Sequence, residues 1–149
     1  HGMRDGFGQM VYSTGDSFEG IFSKDKRHGR GLFRWGKDGR TFDGNYEHDA
    51  PHDPNGTMTW KDGTIYVGAF LEGNRSGKGI QCFPSGVRYQ GDFVNGEYDG
   101  FGVCEFADHG SIYKGHWVKG QAHGQGRLTN ADGEVIHDGQ WVYDGPVSR

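Results

Sequence analysis

The chain has 149 residues, of which 29 are glycine, only 32% are hydrophobic and 14% are aromatic, so what it can bury is mostly aromatic. Glycine at this frequency excludes a helical protein, and its spacing is not every third residue, which excludes collagen. A formal net charge of −4 argues against nucleic acid or an anionic membrane as a general partner, and two cysteines are too few for a disulfide framework.

In chain order the sequence divides into units of 23 or 24 residues, a fixed period that marks a repeat array. Residues 1–17 are a partial unit. Unit 18–41 opens on Phe18-Glu19-Gly20-Ile21-Phe22, unit 42–65 on Phe42-Asp43-Gly44-Asn45-Tyr46, and unit 66–88 on Tyr66-Val67-Gly68-Ala69-Phe70. Unit 89–112 opens on Tyr89-Gln90-Gly91-Asp92-Phe93 and unit 113–135 on Tyr113-Lys114-Gly115-His116-Trp117. A degraded copy with one extra residue, Ile136-His137-Asp138-Gly139-Gln140-Trp141, begins the last partial unit, 136–149. Each opening segment is predicted as a strand, with both rings and the glycine on one face. The glycine leaves a slot that an aromatic ring from an adjacent strand fills.

Each unit continues with a predicted loop such as Lys119-Gly120-Gln121-Ala122-His123-Gly124-Gln125-Gly126. A second alternating strand comes next, as in Gly31-Leu32-Phe33-Arg34-Trp35 or Gly102-Val103-Cys104-Glu105-Phe106. It ends at a tight turn carrying Asp38-Gly39, Asp62-Gly63, Ser85-Gly86 or Asp132-Gly133. Strand, loop, strand and turn repeat as an antiparallel meander. At two strands per unit it advances roughly 10 Å each time, which gives a twisted rod about 60 Å long.

Residues 113–126 carry Y-x-G-x-W-x-x-G-x-x-H-G-x-G at every defined position and resemble the MORN repeat (membrane occupation and recognition nexus). The resemblance covers nearly the whole chain. It implies an all-β, elongated single-layer antiparallel β-meander of hairpin repeats, with roles in cytoskeletal assembly, protein–protein contact and organisation at membranes. An array with no appended catalytic segment is similar to the multi-repeat cytoskeletal MORN scaffolds of protists. The expectation is therefore a scaffold, not an enzyme, that is cytoplasmic and cytoskeleton-associated. It would bind other cytoskeletal proteins or peptides along an aromatic groove of Phe18, Phe22, Phe42, Tyr46, Tyr66, Phe70, Tyr89, Phe93, Tyr113 and Trp117. A phosphoinositide or membrane-binding module and an accessory targeting module of a larger enzyme are the alternatives. His1-Gly2 falls inside a unit, so the chain reads as a C-terminal fragment of a longer array.

Departures from the pattern direct attention to particular sites. Asp25 replaces an exit glycine and Ser76 replaces the repeat histidine. The segment 47–56 replaces H-G-x-G and contains Pro51 and Pro54, which predicts an altered loop or bend. Unit 18–41 carries a net +4, with Lys26, Arg27 and Arg30 as candidate lipid contacts, whereas unit 42–65 carries −4. Gly73-Asn74-Arg75-Ser76-Gly77-Lys78-Gly79 imitates a phosphate-binding loop but lacks the final Ser or Thr and precedes a strand, so it reads as a repeat turn. His28 and His123 occupy the repeat's histidine position and read as structural. No cofactor is required. Zinc suits the donors His48 and His52, with Asp49 and Asp53, or Cys104 and His109, with Asp108, but neither group has the paired spacing of a structural site. Finally, the last unit stops after one predicted strand. Trp117, Trp141, Val142 and Tyr143 are the expected contacts of a two-fold homodimer at that C-terminal edge.

Overall fold

The computed structural model describes residues 4–107 and 110–146, and among these there is no helix. The strands are β1 (Gly6–Val11), β2 (Ser17–Ser23), β3 (Lys26–Arg34), β4 (Thr41–Glu47), β5 (Ala50–Pro51), β6 (Asp53–Thr59) and β7 (Ile65–Leu71). They continue as β8 (Asn74–Cys82), β9 (Arg88–Val94), β10 (Glu97–Glu105), β11 (Ile112–Val118), β12 (Gln121–Thr129), β13 (Val135–Val142) and β14 (Gly145–Pro146). The chain forms two compact units, 1–74 and 75–149. In the first, the hydrogen-bonded order is β1-β2-β3-β4-β6-β7, with β5 pairing β4 off that path; in the second, β8 to β14 are paired in chain order. Each unit is thus an open antiparallel meander of successive hairpins, as the repeat pattern predicts. The aromatic-x-Gly-x-aromatic segments occupy β2, β4, β7, β9 and β11, and the degraded copy occupies β13.

The stretch predicted as a loop is strand instead. β3, β8, β10 and β12 each run nine residues and begin directly after a two-residue turn. Those turns and their equivalents are Lys24-Asp25, His48-Asp49, Glu72-Gly73, Asn95-Gly96, Lys119-Gly120 and Tyr143-Asp144, and both residues of each have positive φ. Two positive φ values are the mark of a type I′ turn, whose twist matches that of the strands it joins. The glycine after the repeat histidine, Gly124, has φ 104° and lies in the strand itself, beside the register shift between Gly115 and Trp117. Its role is to let the strand bulge without breaking the ladder. The second type of turn falls where Asp-Gly and Ser-Gly predict it. For example, Gly63 N–H donates to Trp60 O at 3.0 Å, and Trp60 N–H to Thr64 O at 2.9 Å.

The core of each unit is a row of rings lying over a row of glycines. Gly8, Gly20, Gly31 and Gly44 pair across β1 to β4, and Gly79, Gly91, Gly102, Gly115, Gly126 and Gly139 pair across β8 to β13. The slot over the central glycine of an aromatic strand is filled by the ring two residues earlier in that same strand, and this ring also covers the paired glycine of the next strand. Tyr89 folds over Gly91 and Gly102, its Oη standing 2.9 Å from where a Gly91 Cβ would be, and donates to Asp92 O at 2.8 Å. Tyr113 does the same over Gly115 and Gly126 and donates to His116 O at 2.9 Å. A ring folded back this way meets the next ring of its own strand edge-on. Phe18 and Phe22 pack at 5.3 Å between centroids, Tyr66 and Phe70 at 5.2 Å, and Tyr113 and Trp117 at 5.1 Å. Such pairs contribute about 0.5–1.5 kcal/mol each beyond their area.

Candidate interaction surfaces

The type I′ turns present outward N–H groups that need acceptors, and in most of them the preceding repeat supplies these. The second turn residue donates to a backbone carbonyl: Asp25 to Arg4 O at 3.0 Å, and Gly73 to Pro51 O, Gly96 to Arg75 O, Gly120 to Tyr98 O and Asp144 to Ala122 O, each at 2.8 Å. The first turn residue donates to the side chain at the repeat's histidine position. Lys24 N–H reaches Asp5 Oδ1 at 3.0 Å, Asn95 reaches Ser76 Oγ at 3.4 Å, Lys119 reaches Asp99 Oδ2 at 3.3 Å and Tyr143 reaches His123 Nδ1 at 3.4 Å. Ser76 and Asp99 therefore do the work of His123 as acceptors, which explains why the position tolerates them.

The irregular segment after Tyr46 is built around a buried carboxylate. Asp53, 5% exposed, pairs with Phe70 as Gly124 pairs with Trp141, so it stands where other units have the glycine after the repeat histidine. Its oxygens accept Asn45 N–H at 2.8 Å, Asn45 Nδ2 at 3.0 Å and Asn55 N–H at 2.9 Å. Pro51 and Pro54 cannot contribute N–H groups, so the usual long second strand is split into β5 and β6, and the carboxylate replaces the missing ladder bonds. The altered loop expected from the two prolines is present.

The ten rings expected to line an open groove are core. All are 6% exposed or less, and they pack on one another. At the C-terminal edge, Trp117 and Trp141 are likewise buried, at 6% and 5%. Trp141 packs edge-on against Tyr113 at 5.1 Å and donates its indole N–H to Gly126 O at 3.0 Å. A further repeat is not needed to cover it, because the preceding strands already do. The chain also turns back after β13, with Gly145 and Pro146 pairing Val142 and Trp141. Of the four expected contacts, Val142 and Tyr143 are the exposed pair, at 47% and 64%.

The candidate lipid contacts are mostly engaged. Arg27 Nε donates to Asp49 Oδ1 at 2.6 Å and its Nη2 to Asp49 O at 3.0 Å. Its guanidinium carbon lies 5.0 Å from the Phe33 ring centroid, 5.4 Å from Tyr46 and 5.9 Å from Phe18. Burial would lower the Arg27 pKa, but the hydrogen bond and charge of Asp49 outweigh it and raise it above the ordinary value. Arg30 pairs with Asp43 at 3.0 Å, while Lys26 is exposed.

Among the described residues no three His, Cys, Asp or Glu side chains come together as metal donors. His48 and His52 both lie near Glu47, at 3.5 and 3.7 Å, and Asp53 is committed to its N–H donors. Cys104 is buried, which together with the nearby Glu105 charge pushes its thiol pKa up to about 11. Asp108 and His109 lie outside the described residues. The segment 73–79 is a hairpin turn leading into β8, not a phosphate cradle.

A family model for the MORN repeat matches residues 1–17, 18–40, 55–65, 66–88, 89–111 and 113–135. The Pro-containing segment and the degraded last copy fall outside those matches. Over 72 residues the chain is 32% identical to the ALS2 C-terminal-like protein of Homo sapiens, and equally to that of Bos taurus. The match takes in 45% of this chain and 8% of each relative, so the chain spans less than a tenth of their length.

Proposed function

The chain belongs to the MORN-repeat family, and from that premise we propose that it is a structural scaffold and protein–protein interaction module of the cytoskeleton that self-associates through its C-terminal edge. A MORN array points to a protein–protein or membrane-interaction module, and its all-β repeat fold is typical of non-enzymatic proteins. The observation that carries the finer reading is the outer side of β13. Only Trp141 and Val142 pair with β14, and among the described residues no other strand covers that side. The same strand exposes Ile136 at 58% and Val142 at 47%, with Tyr143 beyond it at 64%. Unpaired strand edges with apolar side chains are templates for another chain, and two-fold pairing is the commonest closure. Both cysteines are free thiols, which supports a cytoplasmic setting.

Light scattering across a concentration series tests the reading. The expected result is a mass approaching two chains that falls on dilution, and falls at all concentrations in Val142→Ser/Tyr143→Ser. Those positions are exposed, so the double variant keeps the core intact, which Trp141→Ala would not. A monomer mass independent of concentration would sink the proposal. The length of the relatives supports a second reading, an accessory targeting module of a larger enzyme. It requires a catalytic segment elsewhere in the full-length protein whose localisation changes when these repeats are deleted.

A further inference from the structure

Three of the type I′ turns carry aspartate at their second position: Asp25, Asp49 and Asp144. In each, Oδ1 accepts the backbone N–H of a residue in the previous repeat: Arg4 at 2.8 Å, Arg27 at 3.1 Å and Ala122 at 2.7 Å. Where that residue is arginine, its side chain returns to the same carboxylate. Arg4 Nε lies 3.4 Å from Asp25 Oδ1, and Arg27 Nε lies 2.6 Å from Asp49 Oδ1. Both guanidinium groups then rest on core rings, Arg4 at 5.4 Å from the Phe22 centroid and Arg27 at 5.0 Å from that of Phe33. Tyr98, whose turn partner is Gly120, stacks instead on Tyr89 at 3.8 Å. Arginine thus stands at this position beside two of the three turn aspartates, and as Arg75 beside Gly96 as well, whereas the third aspartate, Asp144, faces Ala122.

Around Ala122 the rest of the receptor is present. Tyr113, Leu128, Trp141 and Asp144 stand at the repeat positions that Phe18, Phe33, Tyr46 and Asp49 occupy around Arg27. A cavity of about 460 Å³ opens beside Ala122, lined there by Tyr113, Trp117, Leu128, Trp141 and Asp144 and continuing along the preceding repeat past Tyr98 and Phe106. That volume is within the range of small-ligand pockets. The bond to Ala122 N–H accounts for Asp144 by itself. It does not account for a ring-lined space beside the carboxylate.

We propose that this cavity receives an arginine side chain from a protein partner. The guanidinium lies against the Tyr113 and Trp141 rings and donates to the Asp144 carboxylate, as Arg27 does to Asp49 within the chain. A planar cation that both stacks and forks its donors fits such a site better than an ammonium. The inference rests on the interaction-module reading for the partner being a protein, and it adds the partner's chemistry.

The test is an NMR titration of the 149-residue chain with N-acetyl-arginine amide, with the lysine and tyrosine analogues alongside. The readouts are the indole N–H signals of Trp117 and Trp141, which bond Gly102 O and Gly126 O. Expected are saturable shifts with the arginine probe, weakened about tenfold in Asp144→Asn through loss of a charged hydrogen bond. In that variant the amide oxygen still accepts Ala122 N–H. In Ala122→Arg the site fills itself: binding is lost and the melting temperature rises. No saturable shift, tighter binding of the tyrosine probe, or a lowered melting temperature in Ala122→Arg would each overturn the assignment. A monomer that binds the arginine probe defeats self-association alone, and a dimer that does not bind it defeats the site alone.

Discussion

Two glycines at the same repeat position, one in each unit, have very different tolerances, because the space above each is different. A Cβ on Gly102 would fall inside the Tyr89 ring, whereas a Cβ on Gly8 would meet Phe22 at an ordinary 3.6 Å. Gly102→Ala is expected to cost about 2–3 kcal/mol through overpacking, and Gly8→Ala less than about 1 kcal/mol, measured by urea unfolding. The Arg27–Asp49 pair gives a pH dependence. Burial would raise the Asp49 pKa, but its hydrogen bonds from Arg27 prevail and hold it below the ordinary 3.8. A carboxylate depressed on folding contributes stability above its unfolded pKa and loses it as pH falls through the folded one. Acid unfolding of the parent should therefore steepen below pH 3.8, and Asp49→Asn should flatten that limb while lowering stability near neutrality. Cysteine labelling obeys the same logic of burial. Cys82 is exposed and Cys104 is buried with a raised pKa, so a thiol reagent at neutral pH should modify Cys82 alone until the chain unfolds. Equal labelling rates for the two would contradict the packing described.

At the scale of the strand and turn, Asp53 is the side chain on which one irregular element depends. Asp53→Ala would leave two backbone N–H groups and an amide of Asn45 without their acceptor, at an expected cost of about 2–4 kcal/mol. Asp53→Asn, which keeps one acceptor oxygen, should recover part of that in the same denaturation experiment. The elements themselves are largely legible in sequence, because aromatic-x-Gly-x-aromatic and Asp-Gly at a fixed period leave little but hairpins. The H-G-x-G segment reads as a loop since a glycine at positive φ inside a strand, such as Gly124, looks in sequence like a turn. The direction of ring packing is also hidden: period-two alternation places Tyr89 and Gly91 on one face but does not say that the ring folds along its own strand. Trp141 looks unsheltered because its unit ends soon after it, while its cover comes from Tyr113 in an earlier strand and His137 in its own. The cavity beside Ala122 becomes visible only once Arg27 shows which side chain the same repeat position holds.

For the molecule as a whole, charge separates the remaining surface functions. The chain carries −4, and many of its cations are already matched by a carboxylate: Arg4 by Asp25, Arg27 by Asp49, Arg30 by Asp43, Arg40 by Asp38, Lys78 by Asp92 and Arg127 by Asp138. Lys26 is exposed, but it adds to the field that holds the Asp49 pKa low. A polybasic segment gains about 1 kcal/mol per free cation at an anionic lipid surface, and paired cations gain less because the carboxylate is repelled. At physiological salt the interaction also decays within about 8 Å. Vesicles containing phosphoinositide are therefore expected to sediment the chain at low ionic strength only, with retention gone near about 0.15 M salt. Arg30→Glu, at an exposed and already paired position, should change this little. Retention that survives physiological salt and disappears in Arg30→Glu would make the basic repeat a membrane contact and displace the protein-scaffold reading, because a pair broken to bind lipid must find more at the headgroup than it leaves at Asp43.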